Sequence, residues 1–276
     1  MILSFHPVIV GDENRLCAGR DPDAEDRAAI KRAEIVILPQ GCRESLYSTA
    51  VQHCEKVFPN YQAKFRYPGK VGQVRLFQET GAPHPQSLPY DNLESFMDAH
   101  RDTPSIPLHF PMVFKLNWGG EGSSVFLLQK PDDITFALTK AGACQEIGQN
   151  GFLFQEYMET GGRSLRVVVI NETLISYWRV APDNTTFGTS LAHGSRIDQK
   201  SYPRLMEKGE RAVKALCAKT GINLAGFDLV FNLGEPDPEP RFLEINYFFG
   251  RRGLGGSEQY YILLHEGIKA WLEKRA

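Results

Sequence analysis

The chain has 276 residues, enough for one large domain or two to three small lobes around a real core, and its formal net charge of −2 excludes a nucleic-acid binder, which needs a basic surface. Its five cysteines are scattered, odd in number and never spaced C-x-x-C, a pattern of reduced thiols in a cytoplasmic protein rather than of disulfides or zinc. The opening Met-Ile-Leu-Ser-Phe-His-Pro carries no basic region and no long apolar run, so neither a signal peptide nor a membrane span is expected.

Strand and helix signals alternate over the first eighty residues. Residues 2–5 read as a short strand, and 22–33 as a helix with acidic residues in its first turn. A buried strand over 34–39, a helix over 44–54 and a brief strand over 56–59 follow; this alternation implies a small parallel sheet with covering helices. The turn Tyr67-Pro68-Gly69-Lys70 opens a helix that runs to Thr80 and stops at Gly81-Ala82-Pro83. The proline-rich stretch 83–111, with one short helix over 93–101, reads as a hinge into a new lobe.

From Pro111 the texture changes. A strand over 112–116, the loop Asn117-Trp118-Gly119-Gly120-Glu121-Gly122-Ser123-Ser124, a strand over 125–129, a helix over 132–147 and a strand over 152–158 make an α+β unit. A hairpin of 164–170 and 173–180 turns at Asn171-Glu172, where asparagine suits the positive φ of a two-residue turn. Its register places Ser164, Arg166 and Arg179 on one face. A helix over 203–219 precedes a second hairpin, Gly226-Phe227-Asp228-Leu229-Val230 and Phe242-Leu243-Glu244-Ile245-Asn246, and a helix over 258–274 closes the chain.

The second hairpin carries the strongest chemical signal. Folded symmetrically about Pro236, it sets Asp228 opposite Glu244, with Asn246 on the same face as Glu244 and with Leu243 and Ile245 on the other. Opposed carboxylates destabilise a ladder unless something positive lies between them. Three converging oxygen-bearing side chains suit a hard cation such as magnesium, which seldom binds without substrate phosphates; a solvated open sheet face is the alternative. The 117–124 loop, with Gly119, Gly120 and Gly122, lets backbone N–H groups approach a phosphate, or is simply a flexible hairpin loop. Lys115, inward on an apolar strand, is costly without an anion, and Lys70 stands between glycine turns at a helix start. Arg166 and Arg179 offer guanidinium groups to a phosphoryl or carboxylate group, or make surface ion pairs.

Taken in order, these features resemble the ATP-grasp superfamily, and most closely its RimK-like branch, which includes glutathione synthetase and the ribosomal-protein glutamate ligase. The resemblance spans roughly residues 67 to 256. It implies a mixed α/β and α+β architecture: a short Rossmann-like lobe over 1–80, a small grasp lobe with the glycine-rich lid over 81–157, and a C-terminal lobe with magnesium and substrate residues over 158–276. It implies that Lys70 and Lys115 neutralise ATP phosphates under a lid of Gly119, Gly120 and Gly122. Gln155, Glu156, Tyr157 and Met158 would read the adenine. Asp228, Glu244 and Asn246 would hold magnesium, or manganese in its place, while Arg166 and Arg179 would steady the γ-phosphate and the acyl phosphate.

The implied activity is an ADP-forming carboxylate–amine ligase, joining a small-molecule or peptide carboxylate to an amine; a homo-oligomer is compatible with it. A phosphotransferase and a non-catalytic nucleotide-binding protein are the alternatives. The chain departs from the branch at Ser164, where relatives usually have a ribose-holding acid. It departs again at the loop 187–195, which lacks an expected asparagine, and in the turn 247–256. In those last two segments His193, Arg251 and Arg252 are the substrate-side candidates.

Overall fold

The computed structural model describes residues 1–17, 19–101, 106–120, 122–183 and 187–274, and within them three sheets follow one another along the chain. The first has the order β2-β1-β3-β4 and is parallel throughout, built from β1 (Ile2–Ser4), β2 (Glu13–Asn14), β3 (Ile35–Ile37) and β4 (Lys56–Phe58). The crossover helices are α1 (Ala24–Arg32) and α2 (Glu44–His53). α1 starts at Asp23 because that carboxylate accepts from Asp26 N while the Asp26 side chain accepts from the cap, a reciprocal capping box. Two further helices, α3 (Gln62–Arg66) and α4 (Gly69–Thr80), lead into the second sheet.

That sheet is antiparallel, ordered β5-β8-β6-β7, from β5 (Ser87–Tyr90), β6 (Met112–Leu116), β7 (Val125–Leu128) and β8 (Phe152–Glu156). Helices α5 (Leu93–Ala99) and α6 (Asp133–Glu146) cover one face, over a core of Phe96, Met112, Phe114, Phe152 and Phe154. The third sheet is also antiparallel, ordered β11-β10-β9-β12-β13. Its strands are β9 (Arg163–Ile170), β10 (Thr173–Val180), β11 (Arg196–Asp198), β12 (Leu224–Val230) and β13 (Arg241–Asn246).

Alternation along β9 divides its neighbours. Leu165 and Val167 pack with Val213 and Leu216 of α7 (Pro203–Thr220), while Val168 and Ile170 pack with Tyr260, Leu264 and Ile268 of α8 (Ser257–Glu273). α8 lies close because residue 267 is glycine: a Cβ there would sit 2.8 Å from Ile170 Cγ2. Leu3, Val36 and Leu46 of the first lobe share a core with Leu165, Phe227 and Ile245, so the first sheet is fused to the third.

The expected hairpins are present. Asn171 has φ 54° at the first turn, Ser164 pairs with Arg179, and Asp228 pairs with Glu244. The strict alternation expected over 242–246 fails in one respect. A bulge between Asp228 and Leu229 pairs Leu229 with Phe242, so Phe242 joins Ile245 in the core and Leu243 does not point there with it. The 83–111 stretch holds a strand as well as its helix: β5 accommodates Pro89 because it is an edge strand, where a missing N–H is tolerated. β2 and β11, two and three residues long, are too short to show a period.

Candidate active site

The open end of the third sheet concentrates the charge. Arg166 Nε donates to Asp228 Oδ1 at 2.5 Å and its Nη2 to Oδ2 at 2.9 Å, a bidentate pair almost removed from solvent. Arg179 Nη2 reaches the same Asp228 Oδ1 at 2.7 Å and also donates to Ser164 Oγ at 3.2 Å. Asn246 Nδ2 adds a bond to Asp228 Oδ2 at 3.2 Å. Burial alone raises the Asp228 carboxyl, but the two guanidinium groups outweigh it and hold it below the usual carboxylate range. The hairpin register brings all five expected residues together, with Glu244 across the ladder.

Two lysines face this cluster from other elements. Lys115 on β6 and Lys70 on α4 are both buried, and desolvation lowers both; Lys115 falls to about 8 despite the opposing charge of Glu244. Lys70 Nζ donates to Gly119 O at 2.8 Å and Ser124 Oγ at 3.4 Å, so it is held by the glycine loop itself. Asn117, which the sequence marked only as a loop member, fixes this geometry. Its Oδ1 accepts from Val71 N at 2.9 Å and its O from Lys70 N at 3.2 Å, while its Nδ2 donates to Asn150 O. Gly69 is required beneath it: its φ is 67°, and a Cβ would lie 2.2 Å from Asn117 Oδ1. An asparagine at a strand end that holds the start of an earlier helix leaves no periodic signal in the sequence.

In the strand leaving the second sheet, Gln155 is buried and spends its amide on Ser87 Oγ at 2.7 Å, tying β8 to β5. Glu156 pairs with Arg241 at 2.9 Å. Glu156, Tyr157 and Met158 line a cavity of about 500 Å³ with Gln86, Asn232 and Arg241. A second cavity, of about 380 Å³, lies away from this charge between α7 and residues 80–83.

The two arginines of the 247–256 turn diverge. Arg251 stacks over Tyr260 and Tyr261, 4.5 and 4.6 Å from their ring centroids, whereas the exposed Arg252 reaches toward Leu191 O at 3.5 Å. The side chain of His193, like Glu121 in the glycine loop, lies outside the described residues. Among those residues no trio of His, Cys, Asp or Glu forms a metal cluster. Both Asp228 oxygens are taken up by Arg166, Arg179 and Asn246, so the oxygen donors left over are the Glu244 carboxylate and the carbonyl oxygen of Asn246, whose N–H goes to Asp228. Oxygen donors of this kind fit magnesium.

Three sheets, with one buried lysine on the second, another on α4 and carboxylates on the third, define an ATP-grasp fold, and solved structures agree. A RimK-domain ATP-grasp protein from Sphaerobacter thermophilus superposes with a TM-score of 0.62 at 13% identity, covering 96% of this chain and 98% of that one. The D-cycloserine synthetase DcsG gives 0.58 at 14%, covering 97% of each. N5-carboxyaminoimidazole ribonucleotide synthetase, solved with ADP, gives 0.58 at 13%; the match covers 89% of this chain but 62% of that enzyme. The RimK-like ATP-grasp domain model matches residues 83–260, and the chain belongs to that family. No protein of curated function matches it by sequence. Among the described residues, no helix is long and apolar enough to cross a membrane.

Proposed function

We propose that this protein is an ADP-forming carboxylate–amine ligase that works through an acyl phosphate. The observation that carries this reading is a charge imbalance: Lys70, Lys115, Arg166 and Arg179 converge on Asp228 and Glu244, four cations against two carboxylates in a largely buried cleft. A polyphosphate supplies the missing negative charge, and buried cations without one are costly.

In the proposed reaction, Lys70 and Lys115 bind the phosphates of ATP. Arg166 and Arg179 face the γ-phosphoryl group as a substrate carboxylate oxygen attacks phosphorus and the bond to ADP breaks. The same guanidinium groups hold the acyl phosphate while an amine attacks its carbonyl carbon; phosphate leaves and the amine surrenders a proton to water. Glu244 and Asn246, with Asp228 behind them, would hold magnesium, which would supply charge neutralisation of the phosphate oxygens. The cavity beside Glu156, Tyr157 and Met158 is offered to the base. Gln155 does not line that cavity, and its side-chain amide donates to Ser87 instead. Arg252 is the better candidate than Arg251 for the substrate carboxylate, because Arg251 is committed to two tyrosine rings. The substrates are a small-molecule or peptide carboxylate and an amine.

Glu244→Gln is the variant that tests this, because Glu244 makes no ion pair among the described residues and its replacement by an isosteric amide should leave the fold intact. Wild type should be stabilised against heat by ATP in a magnesium-dependent manner, and Glu244→Gln should lose that dependence. ADP release should then require both an acid and an amine and yield an amide. A folded wild type that is indifferent to magnesium and ATP rejects the ligase.

A further inference from the structure

Ser164 occupies the position where the resemblance leads one to expect a ribose-holding acid, but its hydroxyl keeps other company. The residue is 2% exposed, its Oγ lies 2.5 Å from Thr189 Oγ1, and it accepts from Arg179 Nη2 at 3.2 Å. Arg179 must be the donor in that contact, so the Ser164 oxygen serves a guanidinium on one side and a second hydroxyl on the other. Thr189 belongs to the connection between β10 and β11. Its neighbours are tied down as well: Ser190 Oγ accepts from Ala192 N at 3.2 Å, and Leu191 O accepts from Arg252 Nη1 at 3.5 Å.

A carboxylate at 164 would sit against Arg179 and compete with Asp228 for its charge. A hydroxyl cannot compete in that way: Arg179 stays on Asp228 at 2.7 Å, and Ser164 has bonding capacity left for Thr189. Arg179 Nε is buried and has no hydrogen-bond partner among the described residues. The segment 187–191 is therefore connected through two hydroxyls to a site guanidinium that has an unspent buried donor.

We propose that the Thr189–Ser164 hydroxyl pair is a positioning device, which fixes the Arg179 guanidinium and couples it to the 187–191 segment, the wall we assign to the carboxylate substrate. Ser164 acts on the acyl-phosphate side of the reaction and not on the ribose. This rests on the ligase reading for the role of Arg179, while the hydroxyl pair itself stands on geometry.

The experiment uses full-length wild type, Thr189→Val, Thr189→Ser, Ser164→Ala and the Ser164→Ala/Thr189→Val double variant. Amide exchange over 187–191 is followed together with affinities for ADP, for 2′,3′-dideoxy-ADP, and for inorganic phosphate with magnesium and ADP bound. Thr189→Val should speed exchange and weaken phosphate binding by about five- to tenfold, the effect of one lost hydrogen bond. Thr189→Ser should restore both, and the double variant should be no worse than either single one. ADP affinity of Thr189→Val should stay within about twofold of wild type. The proposal is overturned if Ser164→Ala narrows the gap between ADP and its dideoxy analogue while exchange over 187–191 stays at the wild-type rate. Failure of wild type to bind any nucleotide would reject the ligase instead, and the exchange data would still decide the hydroxyl pair.

Discussion

Gln73 grips the backbone of Ile245 from both sides: its Nε2 donates to the carbonyl at 2.8 Å and its Oε1 accepts from the N–H at 2.8 Å. β13 is an edge strand, so these two backbone groups have no neighbouring strand to meet them. α4 thereby fixes Lys70, three residues earlier, relative to Glu244 and Asn246 on either side of Ile245. Gln73→Leu leaves both groups buried and unpaired, a loss of about 2–4 kcal/mol and on the order of 5–10 °C in melting temperature. It should also shrink the stabilisation given by magnesium and ATP. A variant that melts like wild type and keeps its full nucleotide shift would show that α4 does not set the strand.

Lys115 makes nucleotide binding pH-dependent in a defined direction. Burial pushes its ammonium down to about 8, below the ordinary lysine value, so the charged form is penalised in the folded protein at neutral pH. As pH rises through 8 the folded lysine loses its proton while the unfolded one keeps it, and the fold gains stability up to the unfolded value. A bound phosphate reverses the penalty. ATP affinity should therefore weaken as pH rises from 7 to 9, and binding near pH 8 should take up a proton. Calorimetry in two buffers of different ionisation enthalpy measures that uptake. Lys115→Met should be more stable than wild type at pH 7, bind ATP more weakly and take up no proton; a flat affinity from pH 7 to 9 in wild type would contradict the assignment.

What the chain disclosed in advance follows physical rules. The opposed pair Asp228 and Glu244 was readable because a hairpin centred on Pro236 fixes register, and like charges across a ladder demand a cation. Ser164, Arg166 and Arg179 followed from the two-residue turn at Asn171. The bulge at Leu243 was not readable, since one inserted residue changes no composition and only the packed core shows that Phe242 faces inward. Asn117, Gln73 and Thr189 were missed for a shared reason. Each acts through hydrogen bonds to an element distant in sequence, and such bonds carry no spacing rule.

The contact from Lys70 Nζ to Gly119 O gives the glycine loop a measurable switch. A carbonyl is a weak partner for a buried ammonium, so a phosphate oxygen should displace it and release the loop to close over the nucleotide. Hydrogen exchange at the amides of residues 119, 120 and 122–124 should change on adding magnesium and ATP, whereas Lys70→Met should exchange faster there without nucleotide and respond little to it. Replacing Gly119 with alanine should be damaging on its own, because its φ is 104° and a Cβ would lie 2.9 Å from Ser124 Oγ. If exchange over these amides ignored both nucleotide and the Lys70 substitution, the loop would not be a lid.

Asp228 bears the charge of two arginines, and its loss should be felt in the fold before the chemistry. Asp228→Asn leaves Arg166 buried without an anion, a cost of about 3–5 kcal/mol, while Arg179 keeps Ser164 as a neutral partner. Its folded carboxyl is held below the ordinary carboxylate value, so its contribution is fully present above the unfolded value and is lost as pH falls through the folded one. Wild type should therefore lose stability on acidification below pH 4 more steeply than Asp228→Asn, with the gap between their melting temperatures closing as pH drops. Parallel melting curves from pH 7 to 3 would mean that the guanidinium groups draw their balance from elsewhere, and Glu244, across the ladder, would be the residue to replace next.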